Sequence, residues 1–264
     1  YAAEPGVYLD TSGVSLTEWE AHSLTVDITA GMVGWPLQFG YSSTGGNYAP
    51  TSVLYDNMVV SQADTPADPT ATDLFVSEYG EGPSGTSSWG KYLEIANFTG
   101  ADVSLNGYIL GGITNGGDAY EKFVSFTADA TIANGDVWVI GRAESGDGSP
   151  EALYSQIDQV NTDVTHNGDD AWHLLAGTSD SYTLVDAAIG DAGDDPGSGF
   201  TVCGDGTTAN VTLVRKATVS AGADSWATSA GTDADTCQWT IVSQSADALD
   251  YSTVGNHTFT GSAE

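Results

Sequence analysis

Positive charge is what this sequence has least of. Lysine and arginine number 5 against 36 aspartates and glutamates, a formal net charge of −31. The basic residues are Lys91, Lys122, Arg142, Arg215 and Lys216, and only the last two are adjacent. Nucleic-acid binding draws its affinity from basic side chains that displace counterions from phosphates. A chain with no basic stripe is excluded from that class. Long apolar runs are missing too. No stretch approaches the roughly 18 apolar residues of a membrane helix, so no membrane insertion is expected. Cysteine is nearly absent. Cys203 and Cys237 make an even, low count that suits one disulfide in an exported protein; two unrelated buried thiols are the other reading.

Recognisable catalytic apparatus is lacking as well. No G-x-S-x-G elbow occurs. Of His22, His166, His173 and His257, only His166 and His173 are close in sequence, and they straddle a turn and a strand. Zinc sites want tighter His, Cys or carboxylate clusters. Glu78 and Glu81 would need to face each other across a cleft to act as a glycosidase pair, and sequence does not place them so. The reading is a chain without an active site of its own.

What the sequence does have is acid, glycine and short β-forming runs. So much negative charge repels itself unless cations are plentiful, as in brine or calcium-containing extracellular fluid. An extracellular or cell-surface location follows from that charge and from the Gly, Ser, Thr and Asp richness. The chain starts at Tyr1, which fits a processed or truncated product. Hydrophobic residues make up 40% of it, enough for a real core. Alternating or apolar runs recur between Gly, Asn and Asp punctuation, among them 23–28, 92–96, 137–140, 171–175 and 211–214. The spacing predicts one short helix over Ser149–Val160, opened by Pro150 and carrying Ala152, Leu153, Ile157 and Val160. Residues 62–72 hold two prolines, two acids and no bulky apolar side chain, which is linker composition. They divide a front segment, 1–61, from a back domain, 73–264.

The back domain resembles a known family. Ser77-Glu78-Tyr79-Gly80-Glu81-Gly82, then Lys91 to Gly100 with Glu94-Ile95-Ala96-Asn97, then Val103 to Tyr108, look like the opening of bacterial lamin-tail domains. Asn134 to Ile140, Asn167-Gly168-Asp169-Asp170-Ala171, Leu213-Val214-Arg215-Lys216 and the ending at Gln238–Ile241 and Leu249–Thr258 continue the likeness. The resemblance implies an all-β, immunoglobulin-like β-sandwich. It also implies an accessory module, since such domains accompany extracellular nucleases and surface proteins whose catalytic domains are separate. The repeated short strands with regular turn signals agree with that class.

The front segment resembles, through Pro36 to Tyr41 and Tyr55 to Val60, the end of a secreted jelly roll. A complete jelly roll needs about eight strands, and 61 residues hold fewer. An open part-sheet is an aggregation template. A longer parent chain, packing on the back domain, or strands from a neighbouring molecule would each resolve it, the last giving a homopolymer.

Two kinds of site remain. Calcium takes six to eight oxygens. The expected ligands are Asp191, Asp194 and Asp195 in one loop, Asp169 and Asp170 in another, and Asp56 and Asn57 with Asp10. For each, an ordinary solvated turn is the competing reading. Trp35 and Trp89 lie beside Gly- or Ser-rich loops and are positioned to stack on a glycan; otherwise they fill a core. The expected function is a non-catalytic extracellular structural or adhesive protein, calcium-stiffened and self-associating through β-strand contacts into a filament. An accessory module of a larger secreted nuclease or glycan hydrolase, or a glycan-binding module, is the alternative.

Overall fold

The structure, a computed structural model, describes residues 18, 19, 21, 22, 70–85, 89–143, 148–245 and 247–261. The chain divides into two compact units, residues 1–67 and 68–264. The part-jelly-roll expectation, Trp35, Asp10, Asp56 and Asn57 all lie outside the described residues.

The second unit is built almost wholly of strands. Six of them form one sheet: β1 (Phe75–Gly80), β2 (Tyr92–Asn97), β7 (Asp136–Gly141), β8 (Gln159–Val160), β13 (Val211–Arg215) and β14 (Trp239–Ser243), in the order β14-β13-β1-β2-β7-β8. Neighbours run antiparallel except β7 and β8. A four-stranded sheet orders β10 (Ser181–Ile189), β9 (Ala171–Thr178), β4 (Tyr108–Ile113) and β5 (Lys122–Ser125). Two small ribbons complete the set, β3 (Val103–Ser104) with β6 (Thr131–Ile132), and β11 (Thr201–Val202) with β12 (Gly206–Thr207).

Alternation along each strand decides what lies between the sheets. Leu93, Ile95, Ile140, Leu213 and Trp239 from the larger sheet meet Leu110, Val124, Trp172 and Leu174 from the smaller in one buried cluster. This is a two-sheet sandwich with a single apolar centre.

The outer face of the larger sheet is buried too, and the expected helix has part in that. The segment 149–160 makes only one helical turn, α1 (Glu151–Tyr154), after Pro150. The sheet captures the rest of the segment: the Asp158 N–H donates to the Val139 carbonyl, and Gln159 and Val160 pair with Ile140 and Gly141 as β8. Backbone bonding to a strand edge therefore overrides the helical spacing. Leu153 is buried, while Val160 ends 45% exposed. A second short helix, α2 (Trp226–Ala230), is capped by the Ser225 hydroxyl.

Beyond β14 the chain turns at Ser245–Ala248 and crosses the outer face as a strap, 249–261, with neither strand nor helix. Its Leu249, Tyr251, Val254 and Phe259 join Phe75, Tyr92, Ala96, Val137 and Val139 in a second apolar cluster.

Candidate functional site

Three clusters of buried polar side chains organise the sandwich. The first ties the two sheets together. Arg215 on β13 and Asp186 on β10 form an ion pair, both side chains fully buried. An isolated charge there is prohibitively costly, so its hydrogen bonds decide the matter. Arg215 Nε donates to the Val76 carbonyl at 3.0 Å, and Nη1 donates to Ser229 Oγ at 3.1 Å and Gln238 Oε1 at 2.8 Å. Asp186 accepts the backbone N–H groups of Val76 at 2.9 Å and Ala223 at 2.8 Å. The guanidinium lies 4.1 Å from the centre of the Trp239 ring. The Trp239 indole N–H and the Ser229 hydroxyl continue the network to the Ala188 carbonyl.

The second cluster closes one end of the sandwich. Lys91 Nζ stands 2.7 Å from Glu81 Oε1, both side chains under a tenth exposed. The other Glu81 oxygen accepts the Asn210 N–H. Burial raises the Glu81 pKa, and Lys91 opposes the rise. Behind this pair, Tyr79 and His166 stack with ring centres 4.5 Å apart. His166 Nε2 donates to the Gly80 carbonyl at 2.6 Å. Burial, then the Lys91 charge, lowers its pKa to about 3, so the ring is neutral. Asp169 and Asp170 sit in this cluster and are buried. Asp170 Oδ1 accepts the Asn115 N–H at 3.1 Å, and burial raises its pKa. The turn that delivers them needs Gly168: its φ is +106°, and a Cβ there would stand 2.8 Å from that of Ala209.

The third cluster lies beneath the strap. Glu78 and Glu94 are directly opposed on β1 and β2. Both are fully buried. Tyr92 donates to Glu78 at 2.5 Å; Ser77 Oγ and the strap's Gly255 N–H each donate to Glu94 at 2.7 Å. Burial, with the Glu94 charge second, raises the Glu78 pKa to about 8. Burial raises that of Glu94 to about 7.

The ordered motifs of the sequence thus fall on these ties: Glu78, Glu81, Lys91, Glu94, Asp169, Asp170 and Arg215 are their members. A family model for the lamin tail domain matches residues 67–249. The chain belongs to the lamin tail domain family. No curated protein matches the chain. The lamin-tail match spans the sandwich and stops where the strap begins.

Around this lamin-tail core the other expected site residues separate. Cys203 and Cys237 are joined in a disulfide, with Cα atoms 5.0 Å apart. Asp191 Oδ1 accepts the Trp226 N–H at 3.3 Å, beside the start of α2. Asp195 Oδ1 accepts the Gly197 N–H at 2.9 Å, a local turn bond, and Asp194 is exposed. This loop lies against loop 115–118, where the Gly193 N–H donates to the Gly117 carbonyl and Asp118 stands near Gly193. Among the described residues no group of three or more His, Cys, Asp or Glu is arranged to hold a metal. Trp89 is half-buried and packs near Gly148. His173, on the strand face opposite the core's Trp172, bonds Tyr120 and the Gly190 carbonyl and stays apart from His166.

Sequence reasoning missed the Arg215–Asp186 tie and the Lys91–Glu81 pair. A signal was present. Basic residues are scarce here, yet Arg215 closes an apolar strand and Lys91 opens another. A cation in such a strand needs a buried acid. It missed, too, that Asn97, in an N-x-T sequon, is buried, its amide donating to the Ala101 and Ile132 carbonyls.

Proposed function

We propose that this lamin-tail chain is a non-catalytic extracellular module with a structural or adhesive role, assembling with further copies of itself. The observation that carries the reading is where its perturbed titratable groups point. Glu78, Glu81, Glu94, His166, Asp170 and His173 all bond backbone and side chains of the sandwich. They act as fasteners between strands rather than as groups presented to a substrate. The disulfide supports an oxidising compartment.

The acidic surface then acts as a solubility and association control. Copies that carry a formal charge of −31 repel one another until cations screen them. Calcium is the proposed cation, acting by screening the exposed acids. A second reading is an accessory module of a larger secreted enzyme. The modular build favours it: the family match starts at residue 67 and leaves a separate first unit.

Sedimentation velocity of the purified chain, in millimolar calcium and then in excess chelator, tests the proposal. Species well above the 27.2 kDa chain mass in calcium, shrinking in chelator, are expected. A monomer in both, at concentrations up to hundreds of micromolar, contradicts it.

A further inference from the structure

The strap that covers the outer face of the larger sheet is attached without a strand ladder. Its backbone meets the rest of the domain at three places. Gln244 brackets Asp250, its amide donating to the Asp250 carbonyl at 2.6 Å while its Oε1 accepts the Asp250 N–H at 3.0 Å. The Gly255 N–H donates to Glu94, and the Thr260 N–H to the Ala217 carbonyl at 2.8 Å. Among the described residues no strand pairing holds it. Side chains add the Thr260 hydroxyl, which donates to the Ala217 carbonyl at 3.2 Å, a Thr253 hydrogen bond to Glu78, and burial: Tyr251 and Val254 in the outer cluster, His257 edge-on to Phe75, and Phe259 stacked 4.6 Å from Phe98.

That seat is also incompletely filled. A gap of about 260 Å³ separates strap residues 252–258 from Val214 to Ala217 on and beyond β13. His257, which lines that gap, has its Nε2 buried without a hydrogen-bond partner, and so does the Oη of Tyr251 elsewhere on the strap. Orphaned polar atoms and missing contacts lower the cost of opening a segment. The sandwich beneath does not depend on the strap for its strand ladders, and the lamin-tail match ends at residue 249.

We propose that the strap is exchangeable and that its alternative host is a second copy of this chain, strap 249–261 of one molecule seating on the outer sheet face of another. Charge favours this occupant. In a chain with 36 acids the strap carries only Asp250, so its transfer meets little of the repulsion that separates the molecules elsewhere. The gap beneath it is lined by the half-buried Lys216, whereas the charge of Arg215 is already met by Asp186. Because host and donor surfaces are the same in every copy, reciprocal exchange gives a closed dimer and one-way exchange an open chain. The inference deepens the self-association reading, yet rests on the strap's own contacts.

A cross-copy disulfide tests it. A Cβ at Gly255 would stand 3.4 Å from Gln156 Cβ, within disulfide reach. Gln156→Cys and Gly255→Cys are made in separate chains, mixed at high concentration and oxidised. The expected result is a covalent species of twice the chain mass, containing one of each variant in excess of the like pairs. A second arm guards against damage by the Gly255 substitution. A protease site is placed at the Ser245–Ala248 turn of the otherwise unchanged chain, cut after folding, and a labelled 249–261 peptide is added. Uptake of the peptide, with loss of the native strap, is expected. Uptake of the peptide supports exchange even if the Gly255 variant fails; no mixed species together with no uptake overturns it. Assembly seen by sedimentation alongside that failure would leave self-association standing and remove only this contact.

Discussion

Arg215 shows how one side chain can hold two sheets. It reaches Val76 on its own sheet and Asp186 on the other, and every donor it offers along that path is used. Such a pair adds modest net stability, but losing one partner strands a buried charge. Asp186→Ala is therefore expected to cost about 3–5 kcal/mol in urea unfolding, and the double variant Asp186→Ala with Arg215→Met less than the single. Glu78 supplies the pH signature. Its pKa rises from 4.5 to about 8 on folding, so the folded state holds the extra proton. Its contribution is complete below pH 4.5 and is lost as pH climbs through 8. Glu94 acts the same way up to about 7. His166 and His257, lowered to about 3 and 4 by burial, act oppositely and remove stability as pH falls below 6.5. Between pH 6.5 and 8 the glutamates stand unopposed by these imidazoles, and stability measured by thermal melts is expected to fall with rising pH, by up to about 1.4 kcal/mol per unit from Glu78. Glu78→Gln is expected to flatten that slope. An unchanged slope would mean the carboxyl is not the group responsible.

Elements were legible to different depths in the sequence. Runs such as Tyr92–Ala96 and Val211–Val214 became strands, buried almost throughout, because short apolar runs with β-branched and aromatic side chains are local properties. The segment 149–160 misled because its apolar spacing was helical while its partner was a sheet edge built by another part of the chain. The polar ties were legible only as residues, since Asp186 and Val76 are 110 positions apart and Glu81 and Asn210 are 129 apart. Register joins them, and composition does not report register. Asp169 and Asp170 read as calcium ligands from their turn chemistry, whereas the same turn folds them under Tyr79 and Glu81. The Cys203–Cys237 bond links the ribbon of β11 and β12 to the start of β14 across 34 residues. A loop of that size implies about 3–4 kcal/mol of stabilisation through the unfolded chain, so Cys203→Ser with Cys237→Ser is expected to lower the unfolding midpoint and to steepen the slope against denaturant as the unfolded chain expands.

At the scale of the whole molecule, charge and fasteners work together. The interior ties fasten the two sheets of the lamin-tail sandwich, and in the proposed account the exposed acids keep copies apart until cations arrive. Electron microscopy of the purified chain, in calcium and then in excess chelator, tests that account most directly. Ordered filaments in calcium that loosen or disperse in chelator are the predicted result. Dispersed particles under both conditions would contradict the structural-polymer account and return the chain to the role of an accessory module.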